Sequence, residues 1–184
     1  SQLFVNNKAK DTCEFENPLI CLYEKKVTHH TQIQRALELS MSTGNPLLII
    51  CEDADEEGLA FLAMNNIQGR VKVCVVKSPE FGDLRREYME DIAMGVGGTH
   101  ISDSKGVGIK EIELTHLGQA KKVIIGKNET SIISPTGNKK ELNNLLNNLK
   151  MDLTKAGAEE KEQIEKRIAK LSGSVAVLYV GANT

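Results

Sequence analysis

The chain has 184 residues, of which 40% are hydrophobic and 26% charged, and its formal net charge is −2. This composition is typical of a folded globular chain that is long enough for a real core, and it excludes intrinsic disorder. The near-neutral charge argues against a broad nucleic-acid-binding surface, which needs an excess of basic residues. Apolar runs such as residues 46–51 are far shorter than the roughly 20 residues that cross a bilayer. We therefore expect neither a nucleic acid nor a membrane as a partner.

The cysteine pattern indicates the redox compartment. The four cysteines, Cys13, Cys21, Cys51 and Cys74, have no C-x-x-C spacing. Three of them lie in apolar stretches, where a thiol behaves as a small hydrophobic group. We expect reduced structural thiols in a reducing compartment, and neither zinc ligands nor disulfides. The chain opens with serine and without a signal peptide, so we expect it to be a part of a longer protein.

Strands and helices are predicted to alternate in the first half of the chain. Short apolar runs bounded by turn residues predict strands at 19–23, 47–51 and 71–76. Helical spacing and capping signals predict helices at about 31–42, with Thr28 or Thr31 as the cap, at 52–67 and at 84–94. The glycine-rich residues 95–98 follow a predicted helix, whereas a phosphate-binding loop precedes one. They are therefore interpreted as a helix cap and turn.

The second half of the chain has a different pattern. Paired strands are predicted at 121–125 and 130–134 about a four-residue turn. Two long amphipathic helices, at 139–155 and 158–171, are predicted to pair as a helical hairpin near the C-terminus. A last strand is predicted at 174–180. The fold class is therefore α/β.

Candidate catalytic groups are few. Glu52, Asp53 and Asp55 follow a predicted strand and suit a magnesium site, but acidic residues are also favoured at a helix N-terminus. His29 and His30 are adjacent, so we expect them to point to different sides of a helix start and not to share a metal. We find no serine or cysteine in a recognisable nucleophile setting. The sequence predicts no catalytic residue and no metal ligand.

The predicted helix at 52–67 has more apolar residues than one buried face can hold. Within residues 59–67 only Asn65 and Asn66 are clearly polar, whereas an amphipathic helix needs an apolar stripe of only about 100°. This helix and the preceding one are expected side by side on one sheet face, because consecutive strand–helix units pack in that way. Two interpretations remain open here. Other elements cover the surplus, or the surplus forms an exposed binding groove in which Met41 and Met64 adapt to varied partners.

Several long motifs resemble group I chaperonins of the GroEL type. Residues 44–53 match the pattern G-x-P-L-L-I-I-x-E-D, and residues 71–83 match V-K-V-x-x-V-K-x-P-x-F-G-D. Shorter matches follow in the order of that family: DIA at 91–93, GGT at 97–99, LGQAK at 117–121, RIAKLSG at 167–173, VAV at 175–177 and VGA at 180–182. The resemblance covers nearly the whole chain from Leu3 to Thr184.

The resemblance implies a fold and a binding function. In that family the matching segment is the apical domain, with a sandwich-like core of mixed β-sheet flanked by helices (β/β/α). Here it would comprise residues 1–173, and residues 174–184 would form a hinge-proximal strand of the intermediate domain. The two early helices would form a groove that binds non-native polypeptides and the mobile loop of a GroES-type co-chaperonin.

The groove residues are carried over from the family one by one. They fall on Leu3, Phe4, Gln34, Leu37, Met41, Leu59, Ala63, Met64, Asn65 and Gln68, and the hinge falls on Gly173 and Ser174. The chain departs from the family at four of these positions. Gln34 replaces an apolar residue, Leu3 a tyrosine, Gln68 an arginine and Ser174 a glycine. The first two changes make the groove less apolar or less aromatic.

The resemblance also implies what the parent protein does. The family's ATP- and magnesium-binding residues belong to an equatorial domain, so we expect this chain to have no cofactor and no ATPase activity. The parent would be an ATP-driven foldase, a ring of identical subunits in the bacterial cytoplasm, the mitochondrial matrix or a plastid. The alternative from another class is a metal-dependent hydrolase that uses Glu52, Asp53 and Asp55.

Overall fold

The computed structural model describes residues 9, 11–67, 69–127, 129–137, 139–172 and 175–178. For residues 63, 65–67, 139, 170, 172 and 175–178 the description covers the backbone position. Within these residues the protein is a mixed α/β structure with five α-helices and a mixed sheet of eight strands. The strands are β1 (Cys13–Glu16), β2 (Leu19–Tyr23), β3 (Leu47–Cys51), β4 (Val73–Lys77), β5 (His100–Ile101), β6 (Gly118–Ile125), β7 (Thr130–Pro135) and β8 (Val175–Leu178). The helices are α1 (Gln34–Thr43), α2 (Glu56–Ile67), α3 (Gly82–Val96), α4 (Lys139–Leu153) and α5 (Ala158–Ser172).

The three apolar runs of the first half form adjacent parallel strands. β2 pairs with β3 and β3 with β4, and nearly every side chain of the three strands is buried. Parallel strands covered on both faces are continuous apolar runs, because neither face can be polar. The predicted bounds of β2 and β3 are confirmed, and β4 begins two residues later than predicted.

The order of the strands fixes the sides on which the helices lie. The chain moves outward from β2 to β3 to β4, then returns to the other side of β2, where β5 pairs parallel with it. Right-handed crossovers place α1 and α2 on one face of this sheet and α3 on the opposite face. α3 contacts β2, β5 and β6, in agreement with that arrangement.

The antiparallel part of the sheet extends from the other side of β2. β6 pairs with β2 through Leu19 opposite Gln119, and also with β1 and β7, while β7 pairs with β8. Buried and exposed residues alternate along the first half of β6, as expected for a strand with one face toward solvent. The pairing of β6 with β7 confirms the predicted hairpin, whereas β1 was not predicted.

The glycine-rich segment after α3 is a helix end. Gly97 caps α3 with a φ of 73°, which is left-handed backbone that glycine adopts readily. A side chain at Gly98 would come within 2.7 Å of the Gly118 nitrogen, so this glycine permits a close approach to β6. The predicted cap and turn is confirmed, and α3 extends two residues beyond its predicted end at Met94.

The two C-terminal helices pack against each other. Leu149 of α4 and Ile164 and Leu171 of α5 form the buried centre of their contact. Within the described part of the chain, no helix combines the length and apolar character that a bilayer-spanning segment needs.

A buried ion pair joins α5 to α3. The Arg167 guanidinium donates to both carboxylate oxygens of Asp91 at 2.7 Å, and to Glu87 Oε1 at 2.7 Å. These hydrogen bonds, with Asp91 first, raise the pKa of Arg167 above its usual range despite its partial burial. Asp91 is buried, and among the described residues Arg167 is the cation that pairs with its carboxylate.

Replacing Arg167 with methionine is expected to lower the free energy of unfolding by about 3–5 kcal/mol, because it leaves the buried Asp91 carboxylate unpaired. Urea denaturation measures this loss. Lys166→Met on the same helix is the matched control, since Lys166 pairs with Glu162 at the exposed surface and contributes at most ~0.5 kcal/mol. An equal effect of the two substitutions would contradict the assignment.

All four cysteines are free and buried, as predicted. Burial raises the pKa of the Cys21 and Cys51 thiols to about 12. A side-chain hydrogen bond to Cys74, together with burial, raises the pKa of the Cys13 thiol above its usual range. Thiols of this kind are protonated and unreactive at neutral pH.

We therefore expect a thiol-specific reagent to label none of the four cysteines rapidly in the native protein, and all four after unfolding. Absorbance of the released chromophore from an aromatic disulfide reagent measures the count. Rapid stoichiometric labelling of any cysteine in the folded state would show that its burial is incorrect.

Candidate functional site

A short turn positions α1 and contacts both early helices. His30–Gln32 form a 3-10 turn that lies against α1 and α2. Its N-cap is His29, whose Nδ1 accepts from the Thr31 N–H at 3.3 Å. The Gln32 amide oxygen accepts from the Thr28 and His29 N–H groups at 2.8 and 2.9 Å. The predicted Thr28 or Thr31 cap was wrong, because the histidine ring and the glutamine side chain supply the acceptors instead.

A second contact holds the start of α2 to the sheet. Val27 donates its N–H to the Asp53 carbonyl at 2.8 Å and accepts from the Asp55 N–H at 3.1 Å. A side chain at Gly58 would lie 3.1 Å from the Val27 carbonyl oxygen, so glycine lets the helix approach this strand-like segment. Asp55 Oδ1 accepts from the Gly58 N–H at 3.0 Å and caps α2, which begins at Glu56 and not at 52 as predicted.

The three acidic residues after β3 have separate partners. Glu52 Oε1 lies 3.7 Å from Arg85, Asp53 Oδ1 accepts from the Ala54 N–H, and Asp55 caps α2. Among the described residues these carboxylates do not form a group within metal-binding reach of one another. Their positions fit stabilisation of a helix N-terminus and give no support to the metal-dependent hydrolase.

The groove residues predicted on α1 differ in exposure. Gln34 is exposed, and Met41 has 50% of its surface exposed. Leu37 is only 5% exposed and belongs to the main hydrophobic core. The outward surface of α1 therefore includes Gln34, Glu38 and Met41, while Leu37 anchors the helix to the sheet.

Apolar residues of α2 lie on more than one side of the helix. Leu62 is fully buried, Leu59 and Phe61 are half-buried against the core, and Met64 is 57% exposed. The Phe61 ring also lies 4.9 Å from the His30 ring of the 3-10 turn. The surplus apolar residues inferred from the sequence of α2 therefore lie partly in the core, partly against the 3-10 turn and partly in solvent.

Some predicted site positions carry no side-chain description. Ala63 and Asn65 lie in α2. Leu3, Phe4, Gln68, Gly173 and Ser174 lie outside the described residues, as do residues 179–184 of the predicted hinge-proximal strand.

Sequence reasoning missed a potential metal-binding group beside α2. The ligand atoms of His29, His30 and Glu57 lie within 4.8 Å of one another, and the two histidine rings stack with centroids 4.3 Å apart. The expectation that adjacent histidines diverge was wrong, because the 3-10 turn brings both rings to one side. His29 Nδ1 also lies 2.9 Å from the Thr31 hydroxyl, and its Nε2 lies 3.8 Å from Glu57 Oε1. A metal held by Nε2 would require this nitrogen to be unprotonated, with the proton of the neutral ring on Nδ1.

A search of protein-family models found no match to the chain.

Leu37→Ala is expected to lower the free energy of unfolding by about 2–5 kcal/mol, because it leaves a cavity under α1. Met41→Ala on the same helix is expected to change it by no more than about 0.5 kcal/mol, because that side chain faces solvent. Chemical denaturation of both variants measures the difference. A large loss for Met41→Ala would place this residue in the core and remove it from the candidate surface.

Proposed function

We propose that the chain is the polypeptide-binding apical domain of a group I chaperonin. The outward surface of α1 and α2 binds non-native polypeptides and the mobile loop of a GroES-type co-chaperonin. The observation that carries this proposal is one exposed methionine on each of two helices whose other large apolar side chains, where described, are buried or half-buried.

The placement of α1 and α2 supports a shared surface. Both helices cover the same face of the parallel strands. Both also contact the 3-10 turn at His30–Gln32, which ties the start of α1 to α2. A surface built on two helices anchored in this way keeps its shape while its outer side chains adapt.

The chemistry of the exposed side chains supports binding of varied sequences. Met41 and Met64 have three flexible bonds and a polarisable sulfur, so they repack against different apolar partners. Gln34 is also exposed on α1, and its amide, whose Nε2 lies 3.5 Å from Glu38 Oε1, can donate to and accept from the backbone of an extended peptide. Apolar contacts are non-directional, so they contribute affinity without requiring one particular peptide geometry. The amide adds a hydrogen bond that the backbone of any peptide can make.

The motifs behind the resemblance are physically connected in the fold. Asp91 comes from the DIA motif and Arg167 from the RIAKLSG motif, and their side chains form a bidentate ion pair. The mixed α/β fold with helices on both faces of a mixed sheet fits the expected apical-domain class. The adjacent α4 and α5 fit its C-terminal helical hairpin.

The mechanism on this proposal is hydrophobic capture. An unfolded chain exposes apolar side chains, and each ~100 Å² buried against the surface contributes about 2.5 kcal/mol before ordering costs. Single sites of this size bind weakly, so several identical subunits in a ring would hold one client together. In the parent, ATP and magnesium would bind an equatorial domain, whose movements would carry this surface from client to co-chaperonin.

The double substitution Met41→Ser and Met64→Ser is expected to weaken binding of a co-chaperonin mobile-loop peptide by at least about tenfold, since each buried methionine contributes about 1.5–3 kcal/mol. Fluorescence anisotropy of a labelled peptide measures the affinity. The exposed positions keep the fold intact, unlike Leu37, whose polar replacement would test stability instead.

Met151→Ser is the matched control, because Met151 is 61% exposed on α4, away from α1 and α2. It is expected to leave the peptide affinity unchanged. Equal weakening by the control, or undiminished binding by the double variant, would refute the assignment of this surface.

A further inference from the structure

A crevice lies at the carboxyl ends of the parallel strands. Most of the side chains that line it are charged or polar, in contrast to the exposed methionines of the α1–α2 surface. It has a volume of about 190 Å³. Its walls come from the ends of β2, β3 and β4, from β5 and from the first turns of α3. The chain reverses its direction of travel across the sheet between β2 and β5. In open α/β sheets, ligands bind outside the carboxyl ends of the strands at such a reversal.

Two buried polar side chains line the crevice. Ser78 is 4% exposed and His100 is 2% exposed, and within the described part of the chain neither the Ser78 hydroxyl nor either ring nitrogen of His100 makes a hydrogen bond. Glu90 Oε1 lies 3.6 Å from His100 Nδ1, within ion-pair distance but longer than a hydrogen bond. Buried polar groups in native proteins are nearly always paired, with protein, water or ligand. These two residues therefore offer hydrogen-bonding groups to a polar ligand in the crevice.

Cationic and N–H donors border the same crevice. Arg85 and Arg86 lie in the first turns of α3, and both line the cavity. The N-cap residue, Phe81, makes no side-chain hydrogen bond to the first N–H groups of this 15-residue helix. The positive end of a helix and two guanidinium groups form a favourable environment for an anion, and guanidinium binds phosphate with two parallel hydrogen bonds.

The carboxylates in the crevice do not saturate these arginines. Glu52 lies 3.7 Å from Arg85 and Glu24 lies 3.9 Å from Arg86. Both contacts are ion pairs longer than a hydrogen bond, and Arg85 donates from Nε to the Glu80 carbonyl at 3.0 Å. The terminal nitrogens of both guanidinium groups therefore keep donors for a ligand. The carboxylates in turn can accept from hydroxyl groups of the same ligand.

We propose that this crevice binds a phosphate group, with Arg86, Arg85 and the N-terminus of α3 as its anchors and with Ser78 and His100 as its buried hydrogen-bonding partners. Two kinds of ligand carry such a group: free inorganic phosphate and a phosphorylated metabolite. Hydroxyl groups beside the phosphate favour the metabolite, since Glu24 and Glu52 accept from them. The proposal is independent of peptide binding to α1 and α2.

Titration of the full 184-residue chain with inorganic phosphate and with ribose 5-phosphate tests the proposal. Calorimetry measures the affinity, and two-dimensional NMR locates the shifted amides at Ser78, His100 and the start of α3. Ser78→Ala is expected to leave the unfolding midpoint unchanged or raised, because its hydroxyl has no partner, and to weaken binding about tenfold. Arg86→Gln, at an exposed position, is expected to weaken binding by a similar factor.

Arg70→Gln, at an exposed arginine away from the crevice, is the matched control and is expected to leave binding unchanged. Binding that Ser78→Ala and Arg86→Gln weaken supports the proposal, and the tighter of the two probes identifies the source of the phosphate. Absence of binding for both probes at about 1 mM overturns it. Equal weakening by Arg70→Gln also overturns it, because the attraction is then a general effect of charge.

Discussion

Burial of nearly every side chain of three parallel strands is the constraint on which the rest of the structure depends. β2, β3 and β4 present apolar side chains to both faces, so each face needs a helical cover. α1 and α2 supply one cover and α3 supplies the other. Most apolar side chains of α1 and α2, such as Leu37 and Leu62, are buried because they cover this face of the sheet. The surface left for a partner is therefore small and rests chiefly on flexible methionines.

The local signals predicted the elements that neighbouring residues determine. β2 and β3 were predicted with correct bounds, because short apolar runs between turn residues admit few other structures. β1 was missed, because its four residues CEFE owe their strand conformation to pairing with β6, over 100 residues later. The cap at His29 was missed for a related reason, since it depends on how a histidine ring folds back on the following turn.

The candidate site could be predicted only as a pair of helices. Periodicity shows that α2 has apolar residues on many sides, but it does not show which side meets the sheet. Leu37 and Met41 occupy one helix and differ tenfold in exposure, and only the packing against the strands separates them. Likewise, Ser78 and His100 lie 22 positions apart and meet because the chain reverses across the sheet.

The three hydrogen bonds of Arg167 have a mechanical consequence. A planar guanidinium held at 2.7 Å by carboxylates from two turns of α3 resists both sliding and twisting between the helices. Force applied at the C-terminal end of α5 is therefore transmitted through the Arg167 contact to α3 and to the central strands. Little of it is lost as movement between the two helices. Rotation of α5 about this contact would therefore turn α3 with it, so that the two helices move as a pair.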